Sequence, residues 1–182
     1  MTRDVSAVSD PQTLVSDPKT LADGLEASGA LFVRQFEGFD PAAVRWKPEP
    51  TKWSALEVLV HMWDEERLDF RPRLQSALDD PKRPWLAIDP EGWPVERSYN
   101  TQDPAAALAD FRDERARSLD WLRGLDDPPW GNTYEHPELG PLRAGDLMVS
   151  WLAHDHLHVR QLANLQILLH ARGTYSTYYA MP

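Results

Sequence analysis

The sequence predicts an all-α protein, a four-helix bundle. Three observations carry this prediction: four segments place apolar residues at helical spacing, a long proline-rich connection separates the second from the third, and no segment has a convincing strand pattern. The 182 residues are enough for one domain with its own core. Within this single domain, we expect residues 1–16 to form a loose arm and residues 174–182 a tail.

The first helix has a clear start and stop. Asp17 is a typical N-cap and Pro18 suits the first helical position. The helix should continue to about Phe36, because Gly38 can end it. Small Ser28 occupies the same face as the following apolar residues: Leu21, Leu25, Phe32 and Phe36.

The second helix begins with a capping box. Ser54 and Glu57 have the required spacing, and Trp53 stands where a hydrophobic staple would pack. Glu57 is therefore interpreted as a cap residue and not as a ligand. The helix should extend towards Leu78, with a kink or a break at Pro72.

Residues 80–102 form a long connection, rich in proline and tryptophan, that could cross between two parallel neighbouring helices. The third helix then starts at Asp103 and Pro104 and ends at Gly124. Its face is apolar except for Arg115. Residues 126–142 contain many prolines and glycines, which fits a short hairpin or an irregular loop.

The fourth helix should run from about Ala144 to Arg172, with Gly173 as its stop. It carries three histidines. His154 and His158 lie on its apolar stripe, whereas His156 points to the opposite side. The apolar members of the stripe are Leu147, Trp151, Leu162, Leu165 and Leu169.

A metal site is one interpretation of these histidines. Buried imidazoles are costly unless their nitrogens find partners, so His154 and His158 need a reason to face the core. His61, in the second helix, could supply a third ligand, and three neutral imidazoles with an open position suit Zn²⁺, Ni²⁺, Fe²⁺ or Mn²⁺. Glu65 and Asp155 could orient the ligand rings. Spacing alone leaves open the alternative, hydrogen-bonded core histidines.

Composition excludes several other classes. The net charge of −10 and the absence of a Lys/Arg run argue against nucleic acid or anionic membranes as partners. The chain has no cysteine, hence neither a thiolate metal ligand nor a cysteine nucleophile. The residue after His154 is Asp155, so the HExxH motif of zincin proteases is missing. Without a signal peptide or a long apolar run, we expect a cytoplasmic protein.

Three motifs together resemble the DinB/YfiT-like superfamily. They are Trp53-Ser54-x-x-Glu57-x-x-x-His61, Arg143-x-x-Asp146-Leu147 and His154-Asp155-x-x-His158-x-x-Gln161. The resemblance implies an up-down-down-up bundle whose long crossover, residues 80–102, joins helices 2 and 3. It also implies that His61, His154 and His158 bind a divalent metal. Arg143 departs from the pattern, since threonine is common before the fourth helix.

The resemblance also suggests an activity. Related enzymes include metal-dependent transferases of a low-molecular-weight thiol, bacillithiol or mycothiol, and a thiol-dependent isomerase. We therefore expect transfer of such a thiol to an electrophilic small molecule in detoxification or stress response, with Glu65 or Asp155 orienting a histidine or taking a proton. A metal-dependent hydrolase and a non-enzymatic binding protein are the alternatives. A homodimer is left open as the assembly.

The substrate pocket is expected to be aromatic. Trp63 and Trp151 are the first candidates for its walls, with Trp85 or Trp93 added from the long connection. His136, in the loop before the fourth helix, could approach the mouth of the site, but a hydrogen bond within its own loop is the simpler expectation.

Overall fold

The computed structural model describes residues 17–170. Within this range the elements are, in chain order, α1 (Pro18–Glu37), α2 (Ala55–Glu65), a π-helical turn (Glu66–Phe70), α3 (Arg71–Asp79), the short α4 (Trp93–Glu96), a 3₁₀ turn (Tyr99–Thr101), α5 (Pro104–Arg123), the strands β1 (Thr133–His136) and β2 (Gly140–Arg143), and α6 (Ala144–His170). The four bundle helices are α1, the α2–α3 unit, α5 and α6, which confirms the predicted fold class.

Two buried clusters fill the bundle. In each of the four bundle helices, residues near one end belong to one cluster and residues near the other end belong to the second cluster. One cluster contains Leu25 of α1, Leu74 of α3, Leu122 of α5 and Met148 of α6. The other contains Phe36 of α1, Leu59 of α2, Phe111 of α5 and Leu162 of α6. Helices α1 and α6 therefore run in one direction, and the α2–α3 unit and α5 run in the other.

The predicted helix starts are present. Asp17 accepts hydrogen bonds from the backbone of residues 19 and 20, and Asp103 accepts one from Ala106. Ser54 and Glu57 complete a reciprocal capping box, and Glu57 also forms an ion pair with Lys47. These contacts confirm that Glu57 caps α2.

The second bundle helix changes its winding before Pro72. A π-helical turn at Glu66–Phe70 separates α2 from α3, and the proline is the second residue of α3, directly after this turn. A π turn adds a residue to the helical repeat and rotates the side chains that follow it. Here it aims Glu66 into the bundle interior and brings Phe70 against His154.

The region before α6 contains an antiparallel hairpin, β1–β2, paired from Thr133 with Arg143 to His136 with Gly140. Of the two expectations for residues 126–142, the hairpin is correct, and the expectation of no convincing strand is corrected by these two short strands. Gly140 has a φ of 76°, which favours glycine in the turn. Asn132 donates to the carbonyl of Leu78 and ties the hairpin to α3.

Some predictions fall outside the described residues. These are the N-terminal arm, the end of the fourth helix at Gly173 and the C-terminal tail. Among the described helices, none combines the length and the hydropathy that crossing a bilayer requires.

Candidate metal centre

Three histidine side chains meet between α2 and α6. The Nε2 atom of His154 lies 3.2 Å from Nε2 of His61 and 3.1 Å from Nε2 of His158. This is the only group of three or more potential metal ligands within residues 17–170. The structure thus brings together the three histidines that the sequence singled out.

The spacing of these nitrogens fits a metal ion better than a hydrogen-bonded cluster. With metal–nitrogen bonds of about 2.0–2.1 Å, ligand nitrogens at right or tetrahedral angles lie about 2.8–3.4 Å apart. By contrast, the single Nε2 of His154 has either a proton or a lone pair, so neutral rings cannot form two ordinary hydrogen bonds through it. The donor set, three neutral imidazoles without a thiolate, suits Zn²⁺, Ni²⁺ or Fe²⁺.

The surroundings keep these rings neutral. Burial, and then the neighbouring His158 and His154, lower the pKa of His61 to about 2. Burial, and then His158, lower the pKa of His154 to about 3, and burial also lowers the pKa of His158. Since a metal binds the unprotonated nitrogen, all three lone pairs are available at neutral pH.

One of the three histidine rings is oriented by a partner on its own helix. Nδ1 of His158 lies 2.7 Å from Oε1 of Gln161, so the amide oxygen can accept the Nδ1 proton and leave Nε2 free to bind. Nδ1 of His61 is buried and has no hydrogen-bond partner among the described residues. In most histidine metal sites, a hydrogen bond at the ring nitrogen that does not bind the metal, such as the one between His158 and Gln161, fixes the orientation and the tautomer of the ring.

Two aromatic rings pack beside the histidines. The ring of Trp53 lies 4.7 Å from His61 and is stacked parallel to His158 at 6.4 Å, and the ring of Phe70 lies 4.9 Å from His154. His61 is buried, whereas His154 and His158 remain partly exposed. The three histidines therefore have apolar neighbours on two sides, and two of the three side chains keep some exposure to solvent.

The four tryptophans expected to form the pocket walls make no ring contact with the three histidines in the described structure. Trp151 is fully buried and stacks on Phe70 away from solvent. Trp63, Trp85 and Trp93 each pack against an arginine guanidinium. The sequence predicts only a staple role for Trp53, so its position against two histidines is an unexpected feature of the site.

Asp155 lies in the core and faces another set of partners. It is 0% exposed and accepts hydrogen bonds from Ser28 and from both terminal nitrogens of Arg115, the latter at 2.6 and 2.9 Å. Arg115 also binds both carboxylate oxygens of Glu66, and Trp151 donates to Glu66. The carboxylate of Asp155 therefore joins α1, α5 and α6 and makes no hydrogen bond to a histidine in the described structure.

Glu65 lies one turn after His61 and is 4% exposed. Burial, and then the charge of Asp69, raise the pKa of Glu65 to about 8, so that it is protonated at neutral pH and hydrogen-bonded to Asp69. Asp69 in turn pairs with Arg73 at 2.6 Å. The other oxygen of Glu65, Oε1, is buried without a partner.

The remaining histidines have ordinary surroundings. His156 is exposed, as its position on the helix predicted, and His170 is exposed in the last turn of α6. Nδ1 of His136 accepts from the backbone N–H groups of Glu138 and Leu139, so it bonds within its own loop. Arg143 forms an ion pair with Asp146 at the start of α6.

The buried charged network is not predicted by the sequence patterns. The sequence places Ser28 on an apolar helix face as a small residue and gives no pattern that singles out Glu66, whereas both are buried partners of the Arg115 system. The available signal was Arg115 itself. An arginine on an apolar helix face requires carboxylates on the helices that cover it.

The comparisons agree with the fold and with the motifs. The family model described as the DinB superfamily matches residues 25–162, and the chain belongs to this superfamily. Among solved structures it resembles YfiT from Bacillus subtilis, described as a probable metal-dependent hydrolase with an unusual four-helix bundle topology. The TM-score is 0.74 over 93% of this chain and 94% of YfiT, at 18% identity. A search of curated proteins gave no significant match.

Proposed function

We propose that this protein is a divalent-metal-dependent enzyme, with His61, His154 and His158 as the metal ligands. The observation that carries the proposal is the convergence of three Nε2 atoms whose rings are held neutral by burial. The nucleophile we propose is a low-molecular-weight thiol, transferred to an electrophilic small molecule. Since the chain has no cysteine, the sulfur must come from outside.

A divalent ion held by three neutral ligands lowers the pKa of a bound thiol or water and so supplies a nucleophile at neutral pH. The protein's own groups orient and shield this chemistry. Gln161 holds the ring of His158, and Trp53 and Phe70 exclude water from two sides. We assign Glu65 to orienting His61, because Nδ1 of His61 and Oε1 of Glu65 are both buried without a partner among the described residues and the two residues lie one helical turn apart.

We propose a positioning role for Asp155. Its oxygens are occupied by Ser28 and Arg115, so they hold α6 in the rotation that presents His154 and His158 to α2. Removal of this carboxylate should then lower metal affinity through the loss of helix position, together with stability.

Metal content tests the proposal first. Protein purified without a His-tag should contain about one transition-metal ion per chain by elemental analysis, and His61→Ala and His158→Ala should lose it. His156→Ala is the matched control, because it removes an exposed histidine from the same helix. Protein without bound metal, together with unchanged behaviour of both ligand variants, would refute the metal site.

A thiol panel tests the reaction. Metal-loaded protein is incubated with bacillithiol, mycothiol or glutathione and an electrophile, monobromobimane or chlorodinitrobenzene. Conjugation above the uncatalysed rate with one thiol, lost in His61→Ala and kept in His156→Ala, supports the transferase.

A metal-dependent hydrolase is the second candidate, favoured by the structural likeness to YfiT. It would use the same three ligands with water as the nucleophile. Bound metal without conjugation to any thiol, combined with thiol-independent cleavage of activated esters or amides, would favour hydrolysis. Bound metal without either reaction would favour a binding protein.

A further inference from the structure

One surface cavity lies away from the three histidines. It has a volume of about 230 Å³ and is lined by Leu68 of the π turn, by Pro72, Arg73 and Ser76 of α3, and by residues 83–86 of the connection. We call it the crossover cavity. Arg73 follows His61 by 12 residues, about 18 Å along a helix that rises 1.5 Å per residue.

Two polar groups of the crossover cavity lack partners inside the protein. The hydroxyl of Ser76 and the indole Nε1 of Trp85 are both buried and make no hydrogen bond within the described structure. Burying a polar group without a hydrogen bond typically costs about 1–3 kcal/mol. Two such groups at one cavity point to an outside acceptor that satisfies them.

The charged side chains around the cavity indicate whether the ligand that carries this acceptor is an anion or a cation. The guanidinium of Arg73 lies over the Trp85 ring, 4.8 Å from its centroid, and uses Nε for its ion pair with Asp69. Arg83 is 62% exposed at its side chain, and its only ion pair within the described residues is a long contact of 3.9 Å with Asp80. Both arginines, the indole N–H and the hydroxyl can donate, so an anion is the matching ligand.

Contacts with the rest of the protein hold Trp85 in place at the wall of the cavity. Its ring stacks on Tyr134 of β1 with a centroid distance of 3.9 Å, and its backbone N–H donates to the Tyr134 hydroxyl. Trp85 is therefore held between Arg73 on one face and Tyr134 on the other. A pre-formed wall lowers the entropy cost of binding.

We propose that the crossover cavity binds a small organic monocarboxylate with an apolar body, at a site separate from the three histidines. The carboxylate is recognised by Arg83, Arg73, the Trp85 indole and the Ser76 hydroxyl. The apolar body contacts Leu68 and residues 84 and 86 of the connection. The volume is below the roughly 300–1,000 Å³ of pockets that hold drug-sized ligands, so the ligand is small.

Titration with phenylacetate tests this site, and phenylacetamide, of the same shape without the charge, is the matched control. The readout is the Trp85 indole N–H resonance in ¹H–¹⁵N spectra of the full chain, assigned through Trp85→Phe. We expect a saturable shift with phenylacetate and at least about tenfold weaker binding of phenylacetamide, since charge-assisted hydrogen bonds are the stronger kind.

Three variants separate the outcomes. Arg83→Ala should weaken phenylacetate binding about tenfold, and Arg112→Ala, which removes an exposed arginine elsewhere on the surface, should not. Ser76→Ala should weaken binding without loss of stability, because its hydroxyl has no internal partner to lose. His61→Ala should leave binding unchanged.

Several results would overturn the proposal. Phenylacetate without a saturable shift would do so, as would equal binding of phenylacetamide, which would reduce the cavity to an apolar gap. Binding abolished by His61→Ala would place the carboxylate at the three-histidine centre instead. If Arg83→Ala binds phenylacetate as tightly as the Arg112→Ala control does, Arg83 does not recognise the carboxylate and the proposed anion site is wrong.

Discussion

Replacing Arg115 with methionine should strongly destabilise the protein. The guanidinium, 5% exposed, binds Glu66 at 3.0 and 2.8 Å, Asp155 at 2.6 and 2.9 Å, and the carbonyl of Leu25 at 2.8 Å. Burial alone would lower the pKa of Arg115, but the two carboxylates raise it above its usual value. The cation therefore stays charged in the core.

The loss in free energy of unfolding follows from the two buried carboxylates that the substitution leaves without their cation. Removing one partner of a buried ion pair costs about 3–5 kcal/mol, because the other charge stays buried without compensation. Arg115→Met strands two carboxylates, so we expect the upper end, about 5 kcal/mol. Domains are stable by about 5–15 kcal/mol in total, so this loss takes a large share. For a chain of this size it corresponds to a fall in Tm of roughly 10–20 °C.

Urea denaturation followed by circular dichroism gives the measurement, with Arg112→Met as the matched control. Arg112 pairs with Glu37 on the surface, both side chains being about half exposed, so its loss should stay below about 1 kcal/mol. The triple variant Arg115→Met, Glu66→Gln, Asp155→Asn tests the cause. It removes all three charges and keeps acceptor oxygens for Trp151 and Ser28.

The triple variant should be more stable than Arg115→Met alone, a non-additivity that coupled charges produce. A loss below about 1 kcal/mol for Arg115→Met would refute the reasoning. So would a triple variant less stable than the single one, because the penalty would then lie in packing and not in uncompensated charge.

Three further predictions concern caps and protonation. Ser54→Ala should cost about 1 kcal/mol in urea denaturation and Ser54→Thr much less, since threonine keeps the cap; equal losses would contradict the cap. Burial and Asp69 raise the pKa of Glu65 from 4.5 to about 8, so the folded state binds a proton that the unfolded chain has released. Stability should then fall as pH rises through this window, and Glu65→Gln should remove that slope; an unchanged slope would reject the assignment. For His61 and His154 the folded pKa values lie below the ordinary 6.5, at about 2 and 3. The metal-free protein should therefore lose stability as pH falls below 6.5, and His61→Phe should lose less; an equal loss would show that burial of this imidazole is not responsible.

The helix starts could be predicted because capping is local chemistry. Asp17, Ser54 and Asp103 each satisfy backbone N–H groups two or three residues away, and the sequence shows both partners. The π-helical turn could not be predicted in this way. Its residues Glu66 and Phe70 gain their contacts from α5 and α6, and no spacing within the second helix records those partners.

The same distinction holds within the site. Helical periodicity pairs His154 with His158, whereas His61 was only a possible third ligand until the family resemblance added support, because nothing local relates it to a histidine 93 residues away. Proximity in sequence misled the interpretation of Asp155. It follows His154 directly, but one residue on a helix is a rotation of about 100°, which turns its carboxylate to Arg115.

The charge of Asp155 is thus compensated by Arg115, and the group that orients a ligand ring is the neutral Gln161. A carboxylate at position 161 would make the His158 ring more basic and would reduce the Lewis acidity of a bound ion. We therefore expect the Gln161→Glu variant to bind zinc more tightly in calorimetric titration. We also expect its activity to appear at a higher pH than that of the wild-type protein. Gln161→Leu, which cannot accept the Nδ1 proton, should weaken zinc binding about tenfold. Equal zinc affinity of the wild-type protein and both variants would show that Gln161 does not set the properties of this centre.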